Sequence, residues 1–185
     1  MLSQQSIQKD LFFIFFEGLS FTSKLIRWWT RSKFSHSGFV NDKIVSIGNK
    51  GSFYKYGALI EAWKKPNESL FAMRTMNSSF ANHTKRTPFK VLRLKVSLEQ
   101  YEKVHEFQRI CAYLQVPYDW KAIVAFVVPF KLKRNGYLFC SEKDCLSLKY
   151  AGVLPDEIQC WKTSPDRLYA LLRVEGADLV YEDTT

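Results

Sequence analysis

This chain is short of long apolar runs, of metal-ligand spacings and of histidine, and each shortage closes off a class of function. Its longest apolar runs, Leu11 to Phe16 and Ala122 to Val128, fall far below the roughly 20 residues that a membrane-spanning helix needs. The first lies between Asp10 and Glu17 and follows no basic region, so it reads as a core strand rather than a signal peptide. Such a chain is expected in the cytoplasm at synthesis, and a phage-encoded or virion-associated setting fits it as well. The four cysteines include no Cys-x-x-Cys pair and no neighbouring histidine pair, which leaves zinc without its usual ligand spacing. No metal and no cofactor is expected. With no secretory leader, the thiols are expected to be reduced, and Cys111, Cys145 and Cys160 read as small buried apolar residues.

What is present is a composition that folds. Hydrophobic residues make up 46% and aromatic residues 16% of the chain, too apolar for disorder. With no repeat, low-complexity tract or linker, residues 1–185 are expected to form one domain. The net charge of +9 points to an anionic partner or surface, such as a phospholipid or a cell-wall polymer. Nucleic acid fits less well, because no recognition helix or ordered aromatic platform stands out. The basic residues are spread over Lys24 to Lys33, Lys85 to Lys95 and Lys131 to Arg134, and a plain solvated basic surface accounts for them too.

Periodicity and punctuation divide the chain into elements. Leu11 to Phe16 reads as a central strand buried on both faces. A helix from Ser20 or Thr22 to Arg31 follows, with Phe21, Leu25, Trp28 and Trp29 as its core face and Lys24, Arg27 and Arg31 on another. Ser37 to Val40, Lys43 to Ile47 and Ser52 to Tyr56 suggest an antiparallel meander, and Leu70 to Met73 and Lys90 to Val96 further strands. Asn77 to Pro88 reads as a polar, mobile loop. Ser97-Leu98-Glu99-Gln100 is a capping box for a helix that Pro117 ends, Asp119 caps a short helix from Trp120, and Ser164-Pro165-Asp166 opens the last one.

The chemistry concentrates at Tyr137-Leu138-Phe139-Cys140-Ser141-Glu142, which delivers a cysteine from a strand-like segment to a helix start. Asn135-Gly136 marks a turn before it, Ser141-Glu142-Lys143-Asp144 has the form of a capping box, and Gly152 ends the helix. A helix N-terminus stabilises a thiolate, lowering the cysteine pKa from about 8.5, and offers N–H groups to an oxyanion. Of the three histidines, His83 lies in the polar stretch and His105 on a helix surface. His36, at the start of a short strand, is the candidate base. A third polar group usually orients such an imidazole. Ser46 follows on the next strand but is a weak orienter, whereas Glu61 is the better chemical partner; a carboxylate exposed on a short helix is its more ordinary reading.

Three motifs, Trp28-Trp29-Thr30-Arg31-Ser32-Lys33-Phe34-Ser35-His36-Ser37-Gly38-Phe39, Pro117-Tyr118-Asp119-Trp120 and Phe139-Cys140-Ser141-Glu142, together resemble the circularly permuted branch of the NlpC superfamily. These are papain-like thiol enzymes in which the histidine strand precedes the cysteine helix. The branch includes YiiX-like bacterial proteins, lecithin:retinol acyltransferase-like enzymes and phage proteins related to cell-wall hydrolases. The resemblance implies an α+β fold, an antiparallel sheet packed against helices with the nucleophilic cysteine at a helix N-terminus. It implies Cys140 as nucleophile, His36 as base, Ser46 at the third position and Tyr118 in the substrate cleft, where a core tyrosine would serve equally. The implied activity is thiol hydrolysis of a cell-wall peptide amide or an ester. The alternatives are a lipid acyltransferase or phospholipase-like enzyme, and a degenerate binding module with a basic surface.

Overall fold

A computed structural model describes residues 7–40, 58–65, 67–83, 86–125 and 135–183. The chain is α+β, built on a six-stranded antiparallel sheet of order β4-β3-β2-β1-β5-β6. The strands are β1 (Gln8–Phe16), β2 (His36–Val40), β3 (Ala58–Trp63), β4 (Arg74–Ser79), β5 (Phe89–Ser97) and β6 (Asp178–Glu182). The helices are α1 (Phe21–Thr30), α2 (Leu98–Tyr113), α3 (Trp120–Ala125), α4 (Cys140–Tyr150) and α5 (Pro165–Val174). Among the described residues no helix is long and apolar enough to cross a membrane.

The apolar run at Leu11 to Phe16 explains the centre of the sheet. β1 pairs with β2 and β5, so its backbone is satisfied on both edges while its side chains alternate between two buried faces. One face presents Leu11, Phe13 and Phe15, joined by Phe39, Ile60 and Leu92, to the helices. The other carries Ile14, Phe16, Val40, Leu59, Phe89 and Val91, closed over by Phe80. His36 pairs with Phe16 on β1, and this second face therefore leads into the region around the histidine.

Local signals set most helix starts. Ser20 accepts from the Ser23 N–H at the start of α1, Ser97 and Gln100 form a complete capping box on α2, and Ser164 accepts from the Arg167 N–H with Pro165 at the first helical position of α5. Asp119 accepts from the N–H groups of Lys121 and Ala122 and opens α3. Asp166 reaches back across the fold instead, accepting from the N–H groups of Lys33 at 2.7 Å and Phe34 at 3.0 Å. That contact fixes the approach of the chain to β2.

Several elements depart from what the sequence suggests. Ala58 to Trp63 is a strand and not a short helix, because β2 and β4 pair with its two edges and tertiary pairing outweighs local preference. Leu70–Ala72 is a 3-10 turn rather than a strand. The stretch from Asn77 supplies the end of β4 and a 3-10 turn, Phe80–Asn82, anchored by the fully buried Phe80. β6 carries no strong alternation and is covered only on its β5 edge. Phe21, Leu25 and Trp28 of α1 are exposed instead of forming a core face. The strands expected at Lys43 to Ile47 and Ser52 to Tyr56, with Ser46 between their limits, lie outside the described residues.

Two corrections concern α4. No capping box forms, since Phe139 is the N-cap and Ser141 donates its hydroxyl to the Thr163 carbonyl at 2.7 Å. Cys145 and Cys160 are not reduced thiols but form a disulfide. The segment after α4 folds back on the helix, with Lys149 donating to the carbonyls of Asp156 and Ile158, and this return brings together two cysteines whose spacing carries no signature. Cys111 is a free, buried thiol, as expected of a core residue.

The most unusual feature of the core is that α4 buries charge. Lys143 donates to the Ile60 carbonyl at 2.8 Å and to Gln108 Oε1 at 2.7 Å, and pairs with Asp144 Oδ1 at 2.9 Å. Asp144 also accepts from Gln108 Nε2 at 3.0 Å and from Ser37 Oγ at 2.7 Å. The network joins α4 to α2, β2 and β3, and every donor of the ammonium is used. Removing one partner of a buried ion pair leaves the other uncompensated and costs about 3–5 kcal/mol. Lys143→Met is expected to lose about that much in urea denaturation; a loss below about 1 kcal/mol would show that the network does not hold α4 to the sheet.

Candidate active site

Strands β2 and β3 bring the candidate residues together. His36 opens β2 and Glu61 lies within β3, and the register of Phe39 with Ile60 and Val40 with Leu59 aligns the two strands. Gly38 lies between them, close against the acid: a Cβ there would sit in van der Waals contact, 3.4 Å from both Glu61 Cβ and Ile14 Cγ2. The His36 ring donates Nε2–H to Glu61 Oε2 at 2.8 Å. Glu61 is fully buried, and it also accepts from His83 Nε2 at 3.0 and 3.1 Å and from the Ser78 hydroxyl. Three donors thus converge on one buried carboxylate.

On the other side of His36 is Cys140. The His36 ring and the Ser37 backbone lie near enough to the sulfur to favour its charged form. The Tyr118 hydroxyl lies 4.0 Å from the same sulfur. Tyr118 is held by antiparallel contacts of its own segment, with its N–H bonded to the Met73 carbonyl and the neighbouring Pro117 carbonyl accepting from Leu138. The chain around Tyr118 and the segment leading to Cys140 are therefore fixed against each other.

Electrostatics follow from this arrangement. Burial opposes charge on His36, but hydrogen bonds to Cys140 and Glu61 prevail and raise its pKa to about 10. Burial likewise opposes charge on Cys140, and the hydrogen bond and charge of His36, with the Ser37 N–H, bring the thiol below its ordinary value. Glu61 is held well below the usual carboxylate range: burial pushes up, and the charge of His83 and the hydrogen bonds of both histidines outweigh it. Burial and the neighbouring sulfur push the Tyr118 hydroxyl well above its ordinary value, so it stays a donor. The arrangement favours a thiolate beside an imidazolium.

A cleft of about 880 Å³ opens against this cluster. Leu19, Ile26, Trp63, Met73 and Trp120 give it a mainly apolar wall. His36, His83 and Tyr118 reach it from the candidate site, and Gly18 admits no side chain at its floor, where a Cβ would fall 2.3 Å from Ser23 Oγ and 2.7 Å from Ser35 Oγ.

Of the residues singled out from sequence, the structure brings Cys140, His36, Glu61 and Tyr118 together, whereas Ser46 lies outside the described residues. Glu61 is not an exposed carboxylate, because its strand faces the buried side of the sheet. His83, expected in solvent, is a half-buried neighbour of Glu61, stacked on Phe16 at 3.9 Å and beside Trp63 at 4.8 Å. Its one signal in the sequence is Phe80, an aromatic set in a polar stretch. His105 is half-buried against Tyr101 and Phe39 rather than on the surface, and burial, with Arg109 nearby, lowers its pKa to about 4. Among the described residues no group of three or more metal-ligating side chains forms a metal site. No family model matches the chain, and no curated protein matches it.

The raised pKa of His36 has a definite sign. Its imidazolium stabilises the fold fully below about 6.5, and that contribution is lost as pH rises through about 10. Glu61→Gln removes the facing charge and is expected to lower the His36 pKa by about one to three pH units. Titration of the His36 ring by NMR reads this directly. An unchanged value would show that Glu61 does not orient or charge the ring.

Proposed function

We propose that this protein is a cysteine hydrolase of the permuted papain-like type, acting on a carbonyl that bears an apolar acyl group. The observation that carries the reading is the series of buried Cys140, half-buried His36 and buried Glu61, set against a mainly apolar cleft. With α4 spanning Cys140–Tyr150, the thiol sits at the helix's N-terminal end, where the dipole favours a thiolate. With Nε2 committed to Glu61, His36 has Nδ1 left to exchange a proton with the sulfur.

In the proposed reaction the Cys140 thiolate attacks the carbonyl carbon of an ester or amide, forming a C–S bond and a tetrahedral oxyanion. In this reading the Tyr118 hydroxyl, 4.0 Å from the sulfur, and a backbone N–H of the first turn of α4 stabilise that oxygen. Collapse breaks the bond to the leaving group, which takes a proton from the His36 imidazolium and departs as an alcohol or amine. His36 then draws a proton from water, which attacks the thioester. Breaking the C–S bond releases the acid and restores the thiolate and imidazolium. Glu61 holds the ring orientation and stabilises its charged form throughout, and His83 and Ser78 hold Glu61.

The apolar part of the cleft supports an apolar acyl group. Leu19, Ile26, Met73 and the indoles of Trp63 and Trp120 match an alkyl or aryl chain, and Lys64, Asn82 and Arg86 in the same lining offer polar contacts to the rest of the substrate. Each methylene buried from water is worth about 0.8 kcal/mol, roughly fourfold in kcat/KM. Across nitrophenyl esters of increasing chain length, kcat/KM is expected to climb by about that factor per methylene until the cleft is filled. Mass spectrometry of the quenched reaction should find the acyl group on Cys140, and Cys140→Ser should abolish turnover. A flat series with cleavage of wall stem peptides would favour the peptide amide instead. No adduct on Cys140 with either would contradict the hydrolase reading.

A further inference from the structure

Helix α1 presents an unusual outer surface. Phe21 is 82% exposed, Trp28 72% and Leu25 47%, and their spacing places all three on one side of the helix. Lys24 and Arg27 lie along one flank of this stripe, and Arg31 follows at the C-cap of the helix. No acidic residue occurs from Gly18 to Lys33, and among the described residues none of these three cations pairs with a carboxylate. The helix face on the far side, through Ser23 and Ile26, lines the cleft. Leu19, itself 45% exposed, joins the cleft lining to the ground in front of the stripe.

We infer that α1 is a docking surface for an anionic phospholipid bilayer. Large aromatic and aliphatic side chains exposed beside cations are the composition of a helix that lies in the plane of a membrane interface. The apolar stripe enters the acyl boundary, and the long basic side chains extend to the phosphates while their stems stay on apolar ground. Tryptophan suits this depth because its ring is apolar and its N–H is a donor. A second copy of the chain is the less fitting occupant. A twofold contact through α1 would set the flanking cations of one copy beside those of the other with no acid on the helix to compensate. Docking along α1 sets the cleft entrance beside the bilayer surface. The surface itself does not depend on the catalytic reading.

Full-length Cys140→Ala, which cannot turn over lipid through the thiol, separates the two questions. Its co-sedimentation is compared on phosphatidylcholine vesicles with and without phosphatidylglycerol. Binding to the anionic vesicles is expected, with Trp28 fluorescence quenched by brominated acyl chains. Adding Phe21→Ser and Trp28→Ser should lower the partition coefficient at least tenfold. Replacing Lys24, Arg27 and Arg31 by Gln should lower it roughly a hundredfold on anionic vesicles, each cation contributing about a factor of five. Phe21, Trp28, Lys24 and Arg31 are exposed and Arg27 is half-buried, and unchanged circular dichroism and melting verify the folding of both variants. Equal partition of the stripe variant and its parent, or no binding to either vesicle, would overturn the inference. So would a dimer of the parent that the stripe variant disrupts without any vesicle binding, which would assign α1 to a second copy.

Discussion

The buried ammonium of Lys143 is the contact on which the geometry around Cys140 depends. A helix whose first turn reads Cys-Ser-Glu-Lys-Asp has little apolar surface with which to grip a sheet, yet Ser141, Glu142, Lys143 and Asp144 are all buried. What holds it is the set of charge-assisted bonds from Lys143 to Ile60, Gln108 and Asp144, and from Ser37 and Gln108 to Asp144. Such a network is directional, whereas packing of aliphatic side chains tolerates sliding. It ties α4 to β3 at Ile60, one residue from Glu61, and to β2 at Ser37, one residue from His36. The residues that hold α4 are thus adjacent in sequence to those that carry the carboxylate and the imidazole.

The two faces of the sheet divide the work. Ser37 and Ile60 point toward the helices and join the polar network, while His36 and Glu61 point to the opposite face, into an aromatic environment of Phe16, Trp63 and Phe80. Alternation along a strand makes this possible, since neighbouring residues necessarily serve opposite faces. A carboxylate with two imidazoles and a hydroxyl around it is satisfied without water, and the stacking of His83 on Phe16 fixes the second imidazole. Under the proposed function this is preorganisation: the charge that His36 must carry is already compensated before any acyl group arrives.

Much of this was legible in the sequence, and what was not has a common cause. Continuous apolar character marked β1, capping chemistry marked α2, α3 and α5, and the order of motifs singled out Cys140, His36 and Tyr118. Glu61 and His83 read as exposed polar residues because burial of charge is decided by partners that are distant in sequence; the two are 22 residues apart and meet only when β3 and β4 pair. Asp144 reads as the acid of a capping box for the same reason. The opposite error occurred at α1, where Phe21, Leu25 and Trp28 recur as a core face would but remain outside. Periodicity reports that a helix has two unlike faces and is silent on what covers each.

The central claim is that Cys140 and His36 form a thiolate–imidazolium pair within this buried setting. The pH dependence of iodoacetamide alkylation at Cys140, compared between the wild type and His36→Ala, tests it most directly. The account predicts a half-maximal rate well below the pH of an ordinary thiol in the wild type, and a return to or above the ordinary value in the variant, where burial acts without the imidazolium to oppose it. Profiles that coincide, with Cys140 behaving as a free thiol in both proteins, would contradict it.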